Sequence, residues 1–213
     1  MIIFQKSLEH LFISMTALLV ALSIALPLGF HLRRVKNQKL SRLVIRAVSL
    51  IQTFPGLAMI AVIVVSLVSL RKWIPVPATG FLPGIIALSL YALSPVLTNT
   101  YTGLLQCSPS MVDVARGLGM TDRQILFKVK APFALPTILA GVRIAGVWTI
   151  GMCTLTSLVG SGGLGDLILQ GLRSMNVTLV LSGTIPAAML AIFFEVGMSA
   201  IERWLTVHEV AQS

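Results

Sequence analysis

The sequence predicts an all-α polytopic membrane protein: five transmembrane helices, with the N-terminus outside and the C-terminus inside. Composition is the first observation. The 213 residues are 56% hydrophobic and only 11% charged, with a mean hydropathy of +0.94. A soluble domain carries about 25% charged residues, so too little polar sequence is left here to cover a core. Disorder is excluded by the same figures, since it needs low hydrophobicity and high net charge. The second observation is a set of five stretches, 10–32, 47–70, 73–112, 144–165 and 174–194, that contain no Asp, Glu, Lys or Arg. Each reaches the ~20 residues that a spanning helix needs. The third is that the cations cluster between these stretches.

The first span is expected near 10–32. It is too long for the apolar region of a secretory signal, about 7–15 residues, and a basic cluster follows it instead of a small-residue cleavage site. A retained span is the better reading. The second span is expected at 47–70. The third apolar stretch is broken by Pro75, Pro77, Gly80, Pro83 and Gly84. It therefore reads as an external loop followed by a span near 84–105. A polar loop at 106–136 precedes spans near 137–160 and 177–200, and residues 1–213 read as one transmembrane domain.

Orientation follows from the Lys/Arg bias of the loops. Arg33, Arg34, Lys36, Lys39, Arg42 and Arg46 lie between spans one and two. Arg116, Arg123, Lys128, Lys130 and Arg143 lie between or beside spans three and four, and Arg203 follows span five. These twelve cations face Lys6, Arg71, Lys72 and Arg173, four in all, on the other side. The two basic loops are thus expected in the cytoplasm. The formal charge of +9 is explained by this bias, with no interleaved aromatics to indicate nucleic acid.

Catalytic and metal constellations are missing from the sequence. Cys107 and Cys153 have no metal-ligand spacing and read as packing residues, while His10, His31 and His208 are far apart and flank the membrane. Polar punctuation inside the spans is more informative. Gln52, Thr53, Pro55 and Gly56 lie in span two, Ser94, Pro95 and Asn99 in span three, and Ser182, Gly183, Thr184 and Pro186 in span five. Two readings stand for them: small-residue packing between helices, or a polar seam along a solute pathway. Arg143 and Glu195 fall near cytoplasmic helix ends, where snorkelling or mutual pairing is expected rather than a proton relay.

The 106–136 loop has a definite local grammar. Ser108 is a candidate N-cap with Pro109 at the first helical position. Gly119 suits the left-handed residue that ends a helix. Thr121 and Gln124 form a T-x-x-Q capping box that opens a second helix, and Pro132 and Pro136 are expected to stop it before span four. A helix–Gly–helix element projecting from the membrane is the prediction.

The run Asp113-Val114-Ala115, then Arg116, Gly117 and Gly119, then Val129-Lys130-Ala131-Pro132 resembles the E-A-A-x3-G-x9-I-x-L-P signature of permeases of ATP-binding-cassette importers. Asp replaces Glu at 113, Val replaces Ala at 114 and Ile at 129, and Ala replaces Leu at 131, but the Asp–Gly–Pro spacing is kept. Gln52-Thr53-Phe54-Pro55-Gly56-Leu57-Ala58 is similar to the Q-T-I-P-S-L-A stretch of osmoprotectant permeases. So are Tyr91 to Gly103 (Y-A-L-S-P-V-L-T-N-T-Y-T-G) and Gly160 to Ile168 (G-S-G-G-L-G-D-L-I). The likeness covers about residues 45–195.

This resemblance implies a permease subunit of an importer for glycine betaine, carnitine or choline in the bacterial inner membrane. The implied partners are cytoplasmic ATPase subunits, a second permease subunit, identical or paralogous, and an external solute-binding protein with an aromatic cage, all in contact with membrane lipid. Asp113, Val114, Ala115, Arg116, Gly117, Gly119 and Pro132 would then belong to the ATPase-coupling element. Gln52, Thr53, Pro55, Asn99, Ser182, Thr184, Gly162 and Gly163 are candidates for the pathway or its gate. The Gly160–Gly165 segment lacks the Lys-Ser or Lys-Thr of a phosphate loop, so it reads as a tight or re-entrant loop near an outer gate. ATP hydrolysis is expected on a separate chain, and no cofactor is expected. The alternatives are a permease for methionine or for a betaine-like solute such as ergothioneine, and an ion-coupled carrier. The carrier is disfavoured because internal repeats and midplane ionisable residues are missing from the sequence.

Overall fold

The computed structural model describes residues 1–35 and 37–210, with side chains as far as Leu205. Among the described residues every regular element is helical. Helix α1, Ile2–Arg34, has 33 residues and is ~50 Å long at 1.5 Å per residue. That exceeds the ~30 Å hydrocarbon core, so its first turns, with Lys6 and Glu9, extend beyond the 10–32 apolar stretch.

Helix α2, Gln38–Leu50, is amphipathic and starts at Asn37, whose side chain accepts from the Lys39 and Leu40 N–H groups at 3.1 and 3.3 Å. Ser41 Oγ donates to the Leu32 carbonyl at 2.9 Å and pins α2 to the end of α1. Val44, Ile45 and Val48 pack onto the core formed by α1 and α4. After a 3-10 turn at Ile51–Thr53 the chain bends by 103° into α3, Gly56–Leu70. The span expected over 47–70 is therefore broken by a bend rather than continuous. The cause is local: Pro55 disfavours helical backbone at the preceding residue, and Phe54 is extended at φ −70° and ψ 134°.

Helix α4, Phe81–Gln106, is the central post, packed against α1, α7 and α3. Two thirds (67%) of its apolar window is buried, against 11% for the last helix. Small residues set its crossings, as expected where lipid supplies no hydrophobic drive for helix association. A Cβ on Gly29 would stand 2.7 Å from Thr100 Cγ2, and one on Gly103 would stand 3.0 Å from Thr137 Cβ.

The loop after α4 carries helix α5, Pro109–Gly117, then α6, Asp122–Gln124, a π-helical turn at Ile125–Lys130, and α7, Ala131–Thr156. The Thr121–Gln124 capping box forms on both sides. Pro132 and Pro136, however, do not stop the helix. The chain runs helically from Asp122 to Val159, and the widened turn just before Pro132 accommodates a residue that has no N–H and a ring crowding the preceding turn. A 3-10 turn at Ser157–Val159 leads to the glycine segment and to helix α8, Gly165–Arg173, a short amphipathic element not expected from the sequence. Helix α9, Val177–Val210, packs on α7, α8 and α1 and exposes Ile185, Met189, Ile192, Phe193 and Val196. The four helices α1, α4, α6–α7 and α9 are long and apolar enough to cross a membrane, and the bent α2–α3 pair makes up to five.

Candidate functional sites

Three groups of the singled-out residues sit in distinct places. The first is the loop element. Ser108 Oγ accepts from Met111 N–H at 3.3 Å and starts α5. Gly119 has φ +77°. Its N–H reaches the Arg116 carbonyl at 2.9 Å and the Met120 N–H reaches the Ala115 carbonyl at 3.1 Å, the paired bonds of a Schellman motif. Ala115 and Val112 are buried, whereas Met111, Val114 and Leu118 are exposed at i, i+3 and i+7. They form an apolar row on the outward face, the pattern that an amphipathic helix lays into a groove. Asp113 pairs loosely with Arg116 at 3.8 Å, and Arg116 reaches Asp122 at 3.4 Å. Gly117 has open space around it, and Pro132 lies in the first turn of α7.

Beside this element lies a cavity of about 520 Å³ whose charged lining includes Arg33, Arg34, Arg116, Arg123, Lys130 and one carboxylate, Asp122. Burial, with the Arg33 and Arg116 charges adding to it, holds the Lys130 ammonium below its ordinary value. The Arg34 guanidinium stands 5.6 Å over the Phe127 ring, which stacks on Phe30 at 5.8 Å.

The second group is at the glycine segment. Gly160, Gly162 and Gly163 have φ of +79°, +90° and +84°, a region that residues with a Cβ rarely adopt. The Gly163 N–H donates to Glu9 Oε2 at 3.0 Å. Lys6 Nζ donates to Glu9 at 2.8 Å and to Asp166 at 2.6 Å. A Cβ on Gly162 would meet Glu9 at 2.7 Å, and one on Gly163 would meet His10 at 3.1 Å. The first turns of α1 therefore clasp the glycine segment and the start of α8. Hydrogen bonds to Asp166 and Glu9 hold the Lys6 ammonium above its ordinary 10.5. Burial pushes the Glu9 carboxyl up, but Lys6 and the Gly163 N–H outweigh it and hold it below 4.5. Lys6 and Glu9 were not singled out from the sequence, although their i,i+3 spacing was a usable signal.

The third group is inside the apolar region. Gln52 lines a cavity of about 290 Å³ with Tyr91, Pro95, Ile144 and Trp148. The Tyr91 hydroxyl donates to the Phe54 carbonyl at the α2–α3 bend. Pro55 caps α3, and Thr53 Oγ1 turns back to the Leu50 carbonyl at 2.7 Å. Asn99 Nδ2 donates to the Pro95 carbonyl at 2.8 Å. Ser182 and Thr184, on α9, donate to the Leu179 and Val180 carbonyls of their own helix and do not line this cavity. Of the candidate pathway residues, Gln52 thus faces this cavity, whereas Ser182 and Thr184 lie on α9. Tyr91 and Trp148, which line this cavity, are not singled out in the sequence, because an aromatic in an apolar helix has no distinguishing pattern.

The described residues thus form an all-helical bundle with a helix–Gly–helix element beside a basic cavity, and the family match makes it the transmembrane component of a transport system. The chain belongs to the family of binding-protein-dependent transport system inner membrane components, whose model matches residues 21–207. It is a multi-pass inner-membrane protein. A carnitine transport permease protein of Listeria monocytogenes is 38% identical, with 96% of this chain and 88% of that one covered. A glycine betaine/carnitine/choline transport system permease protein of Bacillus subtilis is 36% identical over 94% and 87%. An osmoprotectant import permease protein of Salmonella typhimurium is 34% identical over 88% and 84%. Among solved structures, an inward-facing MetNI methionine ABC transporter chain superposes with a TM-score of 0.83 at 22% identity, covering 96% of this chain and 97% of that one. A chain of an amino acid ABC transporter gives 0.78 at 18%, covering 94% and 92%. These two share the fold. Permeases of this family work with an ATPase carried on a separate subunit.

Proposed function

We propose that this chain is the transmembrane permease subunit of an ATP-driven importer for quaternary-ammonium compatible solutes: glycine betaine, carnitine and choline. The observation that carries the reading is likeness, over nearly the whole chain, to permeases named for those solutes. Coupling runs through α5 and the turn at Gly119, whose exposed Met111, Val114 and Leu118 would enter a groove on a cytoplasmic ATPase. Four or five spans enclose little of a passage, so a second permease subunit, identical or paralogous, completes it. An external solute-binding protein delivers the solute. The basic loops face the cytoplasm, which places the clasp of Lys6, Glu9, Asp166, Gly162 and Gly163 at the outer end.

Uptake tests the substrate. Cells whose only such system includes this chain should accumulate labelled glycine betaine, carnitine or choline at high osmolarity. Uptake of methionine with none of these would overturn the reading. Cysteine labelling tests the orientation: a cysteine at Val76 should react with an impermeant reagent in intact cells, and cysteines at 113–130 should not.

A further inference from the structure

The cavity at the α2–α3 bend has features that packing alone does not require. We propose that Gln52, Tyr91 and Trp148 form a membrane-embedded binding subsite for the quaternary ammonium head of the solute, with Tyr91 and Trp148 as its aromatic walls. The proposal rests on the substrate class proposed above.

Trp148 borders two cavities. One, of about 290 Å³, is shared with Gln52, Tyr91, Pro95 and Ile144. The other, of about 280 Å³, is shared with Val147, Gly151 and Met152. Its neighbours on α7, Thr149 and Ile150, are buried at 1% and 0% exposure, whereas Trp148 is 60% exposed. The indole therefore projects from the surface of this subunit, and an added Cβ on Gly151 would meet nothing within 4 Å. Neither cavity is lined by a carboxylate, an ammonium or a guanidinium.

That lining suits a permanent quaternary cation, which in glycine betaine and carnitine carries its own carboxylate. A fixed carboxylate at low dielectric would hold such a cation too strongly for passage. Tryptophan and tyrosine faces attract it more gently through the ring quadrupole, and the Gln52 amide can donate to the solute carboxylate. The backbone also points here. Pro95 has no N–H to give the Tyr91 carbonyl one turn earlier, and the 103° bend interrupts the ladder at Phe54–Pro55. Interrupted backbone at membrane depth is tolerated where protein buries it or a cavity receives it, and broken helices mark solute sites in other transporters. The depth agrees as well. Tyr91 is ~15 Å from the Phe81 end of α4 and Trp148 is ~12 Å from the Thr156 end of α7, near the middle of a ~30 Å core.

The test has two arms. In cells carrying the complete importer, Trp148→Leu should lower glycine betaine uptake by about tenfold while Trp148→Phe retains most of it, the permease being equally abundant in the membrane. In the second arm, the full chain with Trp73→Phe and Trp204→Phe is placed in lipid nanodiscs, leaving Trp148 as the sole indole. Millimolar glycine betaine should shift its emission. The uncharged-head isostere 3,3-dimethylbutanoate should not. This arm still decides the matter if Trp148→Leu fails to insert. Equal responses to the two probes, or no response to glycine betaine, in a chain whose cells take it up would overturn the subsite. Wild-type cells that take up no quaternary amine would overturn the substrate reading instead, and the subsite with it.

Discussion

Gly141 of α7 lies so close to Asn99 of α4 that an added Cβ would stand 2.5 Å from Asn99 Cβ and 2.9 Å from the Pro95 carbonyl oxygen. Rotating the Asn99 side chain cannot relieve this contact, because its Cβ moves only with the α4 backbone, and the Pro95 carbonyl that crowds the same spot already accepts the Asn99 amide at 2.8 Å. The crossing of α4 and α7, which carries Tyr91 and Trp148, depends on this missing side chain.

Gly141→Leu should therefore destabilise the bundle by more than the ~1–3 kcal/mol of ordinary overpacking, because backbone stands in the way. Gly151→Ala, on the same helix but with open space around it, should be neutral. Thermal unfolding of the purified chain in detergent distinguishes them. Equal midpoints would show that α4 and α7 can separate at no cost.

The turn at Gly119, proposed above to take part in coupling, offers a contrast between folding and partnership. Gly119 has φ +77° and no atom within 4 Å of an added Cβ. Gly119→Trp should cost only about 1 kcal/mol locally, leave membrane insertion intact, and weaken recruitment of the ATPase against which the indole would clash. Asp113→Lys should act likewise, since Asp113 makes only a loose, exposed pair with Arg116. Co-purification of the ATPase and solute-stimulated hydrolysis are the readouts, and normal values for both variants would remove this loop from coupling.

Arg143 holds Glu195 at 2.6 Å and Glu202 at 3.4 Å, joining α7 to α9. All three are partly exposed, so the expected cost of Arg143→Glu is about 1 kcal/mol plus the repulsion of three carboxylates. Adding Glu195→Arg should restore part of the loss, and Glu202 should keep the recovery incomplete. A double-mutant cycle on thermal stability measures it.

The clasp of Lys6, Glu9 and Gly163 carries a sign for pH. Glu9 titrates below its ordinary 4.5 in the folded chain, so its contribution is present above that value and lost as pH falls through the folded one. Lys6 is raised above 10.5, so its contribution is present below that value and lost as pH rises through the folded one. The stability difference between wild type and Glu9→Gln should be flat above the ordinary 4.5 through neutral pH and close as pH falls below it through the folded value. A difference that grows on acidification would show that Glu9 is not held as a carboxylate by Lys6 and Gly163.

Much of the local structure was legible in the residues. Ser108, Gly119, Thr121 and Gln124 act where capping chemistry puts them, because those bonds reach only three or four residues along the chain. The expectation that Arg143 and Glu195 either snorkel or pair is resolved as pairing. Other expectations failed for reasons beyond that range. Pro132 was read as a stop, yet a π-helical turn before it lets the helix continue. Hydropathy marks 47–70 as a span because it records apolarity and not direction, and the Phe54–Pro55 bend turns the chain there by 103°.

The sequence by itself determined the class, the helix-forming stretches and the capping of the 106–136 loop. Hydropathy, charge bias and capping are properties of single residues and near neighbours. Only the tertiary structure decided which side chains meet. Glu9 reaches Gly163 across 154 positions of chain, and Tyr91 reaches the Phe54 carbonyl across 37. The packing of α4 between α1 and α7 sets such meetings through close contacts at Gly29, Gly103 and Gly141. A missing Cβ specifies that two backbones can approach, but not which two.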